Sequence, residues 1–261
     1  MTLKDFYCRP LQNLHLRWSV RKLRRLEKVL PAPQTRLAVP FLFRGFGFFR
    51  KMRPLQSQWE IGELFDRVLE QRPRVVLEIG TAKGGTLYLW CQAAQPDALL
   101  VSIDLPGGEF GGGYRECRAA FYESFVVERQ RLHLLRADSH APATRDQVSG
   151  VLGDRPVDFL FIDADHTYEG VKQDFDQYSP LVAPGGLIAL HDIGSGNPNA
   201  RIQVPRFWAE LKGRFPRATE WLDETPNGRR IGIGMIEWPG LPDARIAAAL
   251  NAPAGNTAQA R

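Results

Sequence analysis

The period of the apolar positions changes along the chain. Between Pro10 and Pro31, Leu16, Val20, Leu23 and Leu30 recur at helical spacing with Leu26 beside the seam, and Arg17, Arg21, Arg24, Arg25 and Lys28 supply the polar surface, so a helix is expected there. The next stretch sets five phenylalanines (Phe41, Phe43, Phe46, Phe48, Phe49) among arginines. From Ser57 onward, helical and extended periods alternate. An amphipathic helix is expected over 58–71, with Ile61, Leu64, Phe65, Val68 and Leu69 on one side. Strands are expected at 74–79, 98–103, 132–135, 157–162 and 187–190, and helices at 84–94, 114–128, 168–178 and 205–214. An Asn227–Gly228 turn and a strand at 231–237 close the series. Repeated βα units predict an α/β protein, with a doubly wound, mostly parallel sheet covered on both faces. Three parts follow: an extension over 1–55, a body over 56–240, and an Ala/Asn-rich tail over 241–261 that is expected to fray.

Charge divides the chain at the same place. The whole carries +5, but residues 1–53 hold 13 Lys and Arg against only Asp5 and Glu27, while the remainder holds 21 against 27 and is acidic. A body that grips phosphates along a groove is normally basic itself, which argues against a dedicated DNA or RNA enzyme. The extension is open to three readings: a helix and loop packed on the body with arginines solvated outside, a basic amphipathic segment docking on anionic membrane or a partner, and a lid or dimer arm. Helical periodicity favours the first; the arm would make a homo-oligomer. Cys8, Cys91 and Cys117 offer neither a disulfide framework nor zinc-ligand spacing. Arg44 interrupts the longest apolar run, and the first residues lack the order of a signal peptide, so a reducing cytoplasm is the expected setting.

In a doubly wound sheet the ligand sits beyond the carboxyl ends of the strands. The first strand runs into V-L-E-I-G-T-A-K-G-G-T, where Ala82 replaces the second glycine of the dinucleotide fingerprint and Gly84 and Gly85 follow Gly80 after three residues. The second strand ends V-S-I-D-L, with Asp104 24 residues after Gly80, where a carboxylate can take both ribose hydroxyls of an adenosine ligand. Glu78, Gly80, Thr81 and Gly84, in the order E-x-G-x-x-x-G, resemble the first motif of the class I S-adenosylmethionine-dependent methyltransferases. The resemblance implies a seven-stranded, Rossmann-like methyltransferase fold with S-adenosyl-L-methionine as cofactor. It also implies that Asp138, in L-L-R-A-D-S-H after the third strand, receives the adenine amino hydrogen.

The fourth and fifth strand ends carry a second set of groups. Adjacent strands bring Asp163, His191 and Asp192 to one rim, and two carboxylates with an imidazole can hold a divalent ion while leaving positions for substrate. D-x-D-H-T-Y-x-x-V with P-G-G-x-x-x-x-H-D resembles the metal-dependent branch acting on sugars of macrolides and other glycosylated natural products, and is similar to the cephalosporin-hydroxylase-like proteins. This resemblance covers about residues 55 to 238. It implies divalent-metal-assisted O-methyl transfer to a small-molecule hydroxyl acceptor, on a sugar moiety, with His166 in the loop of the proposed base. Many relatives have a carboxylate at His191; Mg²⁺ is the family's ion, and histidine also suits Mn²⁺ or Fe²⁺. His191 is open to three roles: ligand, a group behind the ligands, or base. His166 reads as general base or as the cap of the following helix, and Asp165 as cap or ligand support. Two rival functions remain: N- or C-methyl transfer (including to RNA) with a vestigial metal site, and a non-catalytic protein docking through residues 1–53. The first is weakened by the absence of an N-P-P-Y or D-P-P-Y tetrad after strand four.

Overall fold

The computed structural model describes residues 3–107, 112–196, 199–215, 217–225, 228 and 230–240. Seven strands form one sheet: β1 (Val75–Ile79), β2 (Leu99–Asp104), β3 (Arg131–Arg136), β4 (Val157–Ile162), β5 (Val182–His191), β6 (Ala218–Glu224) and β7 (Arg230–Glu237). Their order is β3-β2-β1-β4-β5-β7-β6. The first five run parallel, and β7 is antiparallel to both β5 and β6. The chain therefore reverses direction across the sheet between β1 and β4. That places the crevice at their carboxyl ends.

Every residue of β1 and β2 is buried, as a central parallel strand covered on both faces requires. Alternate side chains serve different layers. Val76, Leu100, Phe159 and Phe161 belong to a core with α3 (Gln58–Gln71), α4 (Gly85–Ala93) and the extension. Leu77, Ile79, Val101, Ile103, Leu160 and Ile162 belong to the opposite core, with α6 (Pro142–Leu152), α7 (Tyr168–Tyr178) and α8 (Val204–Arg214). Glu78 follows Val76 by two, so it points toward α4 rather than out of the sheet's edge.

The extension packs on the body. Its long helix α1 (Leu3–Val29) runs past Pro10, and a short helix α2 (Val39–Leu42) follows. Leu23, Phe43, Phe49 and Met52 are fully or nearly fully buried in the same core as α3 and α4. Glu27 is turned inward, where Arg24 reaches it at 2.7 Å, Arg36 at 3.5 Å and the Tyr88 hydroxyl at 3.3 Å. At the far end, Arg118 donates to the carbonyls of Phe48, Lys51 and Lys83, tying the extension to the glycine loop after β1.

Three expectations need correction. The expected helix over 114–128 breaks into 3-10 turns around a single α turn, α5 (Ala119–Tyr122). Its aromatic side chains pack on one another tilted or edge-on: Phe121, Tyr122 and Phe125 have ring centroids 5.0–6.4 Å apart. Helix α6 and strand β6 were absent from the expected series. β6 is half exposed and charged, with Glu220, Asp223 and Glu224 along it, and its pairing with β7 supplies the extended geometry that its own pattern does not. The Asn227–Gly228 turn and the tail fall wholly or partly outside the described residues. No described helix is long and apolar enough to cross a membrane, and Cys91 and Cys117 are free thiols.

Candidate active site

The crevice begins at Gly80. Its φ is +100°, and its amide donates to Ile103 O while Asp163 N donates to Ile79 O, each at 2.8 Å. A Cβ at this position would stand 1.9 Å from the Asp163 carbonyl oxygen. Only glycine lets the ends of β1 and β4 close this tightly. Ala82, in the left-handed region at φ +42°, then turns the loop into α4, whose N-cap is Gly84.

Asp104 organises this loop. Its Oδ2 accepts from Ala82 N at 2.6 Å, and its Oδ1 accepts from Leu105 N at 2.8 Å and Gly113 N at 2.9 Å. Burial pushes its carboxyl above the usual range, against the pull of those amides. A carboxylate has about four acceptor directions, so three amides leave room for a ligand hydroxyl. Beside it opens a cleft of about 370 Å³ whose walls include Gly80, Asp104, Asp138, His140, Asp163 and Arg201. Ile79, Ile103, Leu105 and Ala137 make its apolar part. A flat heteroaromatic base fits such a surface, with Asp138, mostly exposed at the rim, free to accept from an amino group through the carboxylate oxygen that His140 N does not engage.

Glu78, expected to touch the cofactor, lies behind the wall. Glu78 has no exposed surface; Trp90 Nε1 donates to it at 3.0 Å and Ser102 Oγ at 2.6 Å. Ser102 in turn bonds the Thr81 hydroxyl at 2.6 Å. Glu78 thus braces the loop through Ser102 and Thr81, and burial raises its carboxyl to about 8, so it is protonated at neutral pH.

Asp163, His166, His191 and Asp192 do converge. His191 Nδ1 lies 3.1 Å from Asp163 Oδ1 and 3.9 Å from Asp192 Oδ2. His166 Nε2 lies 3.2 Å from Asp192 Oδ2 and 3.6 Å from Asp163 Oδ1. Burial opposes the charge on each, and the mutual pairing outweighs it: both carboxyls are held below the usual range and both imidazoles above theirs, His166 at about 9. Asp192 adopts φ +60°, a left-handed conformation that aims its carboxylate back at the rim. The helix cap here is Thr167, whose hydroxyl accepts from Gly170 N at 3.1 Å, so His166 is free of that duty. Asp165 folds over the same turn and accepts from Thr167 N at 2.8 Å.

Residues outside the expected set complete the cluster. Gln56, buried just past the extension, donates to Asp163 Oδ2 at 2.7 Å. Glu60 is wholly buried, with Oε1 3.6 Å from His191 Nε2 and Oε2 lacking a hydrogen-bond partner. The capping box of Ser57 and Glu60 in S-Q-W-E starts α3 and sets Glu60, with Gln56 just before it, against the sheet, but nothing along the chain marks either as part of the cluster. His140, without an assigned role in the sequence, pairs with the buried Asp174 at 3.3 Å behind the cleft. Among the described residues, no set of three or more His, Cys, Asp or Glu side chains is arranged to hold a metal ion.

Residues 77–193 match a family model described as a methyltransferase domain. An O-methyltransferase from Streptomyces achromogenes involved in tomaymycin synthesis, solved with S-adenosylmethionine, superposes with a TM-score of 0.52 and 20% identity, covering 87% of this chain and 99% of that one. An O-methyltransferase from Bacillus cereus, solved with S-adenosylhomocysteine, gives 0.53 and 20%, over 84% of this chain and 98% of that one. These likenesses show the Rossmann-like methyltransferase fold. An uncharacterized protein, y4gI, of Sinorhizobium fredii is 27% identical over 171 residues, 64% of this chain; the match spans 17% of that relative's length.

Proposed function

We propose that the protein is an S-adenosylmethionine-dependent O-methyltransferase for a hydroxyl of a small molecule, such as a sugar moiety of a glycosylated metabolite. The observation that carries this reading is the juxtaposition of an adenosine-sized cleft at Gly80, Asp104 and Asp138 with a charged histidine–carboxylate cluster at its mouth, Asp163 lining both. The cleft fits the cofactor on three counts: a glycine loop without a side chain at its closest point, a carboxylate with one acceptor direction left for a ribose hydroxyl, and an acid at the rim for the adenine amine.

The acceptor hydroxyl loses its proton as its oxygen forms the bond to the methyl carbon and the carbon–sulfur bond breaks. His166 is the proton acceptor in its neutral form, which is the minority form at neutral pH because Asp163 and Asp192 hold the ring's titration up at about 9. Asp163 and Asp192 both meet the Nε2 edge of that ring, and Gln56 holds Asp163, so the base keeps one orientation through the step. Asp163, Asp192 and His191 fit a divalent cation by donor chemistry, being two carboxylates and an imidazole, and the buried Glu60 Oε2 and His191 Nε2 beside them lack hydrogen-bond partners. Asp163, Asp192 and His191 would be the groups to hold a Mg²⁺, Mn²⁺ or Fe²⁺ ion, which would supply charge stabilisation to the acceptor hydroxyl.

Calorimetry on EDTA-treated protein checks the cofactor and the cation separately. Saturable S-adenosylmethionine binding is expected, weakened about tenfold or more by Asp104→Ala, which also frees the three amides that the carboxylate gathers. A separate heat on adding Mg²⁺ or Mn²⁺, lost in Asp163→Asn, is expected for the cation; its absence in the parent protein would remove metal assistance and leave His166 to act alone. On an identified acceptor, His166→Ala is expected to lower kcat by roughly a hundredfold with little change in cofactor affinity. Wild-type turnover by both His166→Ala and Asp163→Asn would defeat the mechanism.

A further inference from the structure

The inner face of α1 is satisfied by the body, and the outer face is left with an arrangement that the methyltransferase domain does not use. At 100° per residue, Ser19, Leu23 and Glu27 point inward and are buried. On the opposite side, Leu11, Leu14, Trp18, Arg21, Lys22 and Arg25 fall within a stripe about 100° wide. Leu11 is 54% exposed, Leu14 38% and Trp18 39%, and the three cations are exposed. Among the described residues, no carboxylate pairs with Arg21, Lys22 or Arg25. Trp18 meets Phe46 edge-on at 5.3 Å, His15 stacks on the same Phe46, and Lys22 Nζ stands 5.0 Å over that ring. Trp18, Phe46, Arg21, Lys22 and Arg25 line an open groove of about 370 Å³.

We propose that this stripe seats the protein on an anionic phospholipid surface, with the groove between Trp18, Phe46 and the three cations taking a lipid phosphate. Charge complementarity selects the surface: residues 1–53 carry 13 Lys and Arg against two acids, on a body that is itself acidic and is therefore turned away from an anionic bilayer. Apolar content selects lipid over nucleic acid. Leu11 and Leu14 have nothing to offer a phosphate backbone, whereas leucine, tryptophan and basic residues on one stripe are what an interfacial helix presents at the boundary between headgroups and acyl chains. Helix α1 is already held by its buried face, so docking requires no unfolding of the extension. The proposal is independent of the methyl-transfer reading.

The test is sedimentation of the full chain with phosphatidylcholine vesicles, alone or containing roughly one quarter phosphatidylglycerol, at about 0.1 M salt. Binding is expected to the mixed vesicles only. Reversal of the stripe by Arg21→Glu, Lys22→Glu and Arg25→Glu together is expected to weaken it at least tenfold, since each basic residue near the surface contributes about 1 kcal/mol. Reversal of the exposed Arg129, Arg131 and Arg214 to Glu makes the same change in net charge away from the stripe, and is expected to weaken it far less. Leu11→Ser with Leu14→Ser, which leaves the charge unchanged, is also expected to weaken binding. Melting temperatures within a few degrees of the parent establish that each variant is folded. Four results would each overturn the proposal: no binding to the mixed vesicles, equal loss from the two charge reversals, no effect of the leucine changes, or retention of an RNA oligonucleotide by a chain that ignores vesicles.

Discussion

Gly80→Ala is expected to lower the unfolding free energy by about 4 kcal/mol or more and to abolish cofactor binding. Two costs add at one position. The backbone holds φ +100°, which an L side chain rarely adopts, and the new methyl would sit 1.9 Å from a backbone oxygen of Asp163 that cannot rotate away. Relief requires β1 and β4 to part at their carboxyl ends, where Asp163 N bonds Ile79 O and Gly80 N bonds Ile103 O. The same movement displaces Asp163 from Gln56, His166 and His191. Gly150→Ala is the matched control: its position in α6 has open space and no left-handed φ, so alanine there is expected to stabilise by about 0.5–1 kcal/mol. Thermal melts of the two variants decide the matter, and a Gly80→Ala chain melting with the parent would refute the packing described for the crevice.

The second large effect concerns pH. Burial raises the Glu78 carboxyl to about 8 from an ordinary value of 4.5. Between those values the folded chain holds a proton that the unfolded chain has released, so stability falls as pH rises through the window. The contribution is complete below about 4.5 and lost above about 8, with a limiting slope of about 1.4 kcal/mol per pH unit from this one group. Glu78→Gln removes the titration while keeping an oxygen to accept from Trp90 and a group to meet Ser102. The parent is therefore expected to lose on the order of 4 kcal/mol between pH 5 and pH 9 through Glu78, and the variant to lose that much less. Denaturant midpoints at the two pH values measure the difference. Parallel behaviour of parent and variant would show that Glu78 is ionised in the fold across this range.

The distinction between Glu78 and Asp104 shows where reading the sequence stops. Both are acids at or near strand ends in an adenosine-site pattern, and the pattern treats them alike. Position along the strand separates them, since both lie on the face of Val76 and Leu100: Glu78 sits within the paired part of β1 and meets Trp90, while Asp104 lies past the last paired residue of its strand against β1 and reaches the cleft. His166 is a similar case. Its place before a helix made capping a sound expectation, and the outcome turned on the neighbour, because Thr167 took the cap and left the ring to two carboxylates drawn from β4 and β5.

By itself the sequence determined the alternation of strand and helix, the mostly parallel sheet, and which strand ends carry acids and histidines. Those properties follow from local periodicity and from glycine at obligatory positions, and both are written in consecutive residues. Tertiary structure alone decided that Gln56 and Glu60 join the cluster, that β6 exists, and that α1 turns one face inward and leaves Trp18 and its cations outside. Each depends on what lies across from a residue in space, and a pattern of neighbours along the chain contains no record of that.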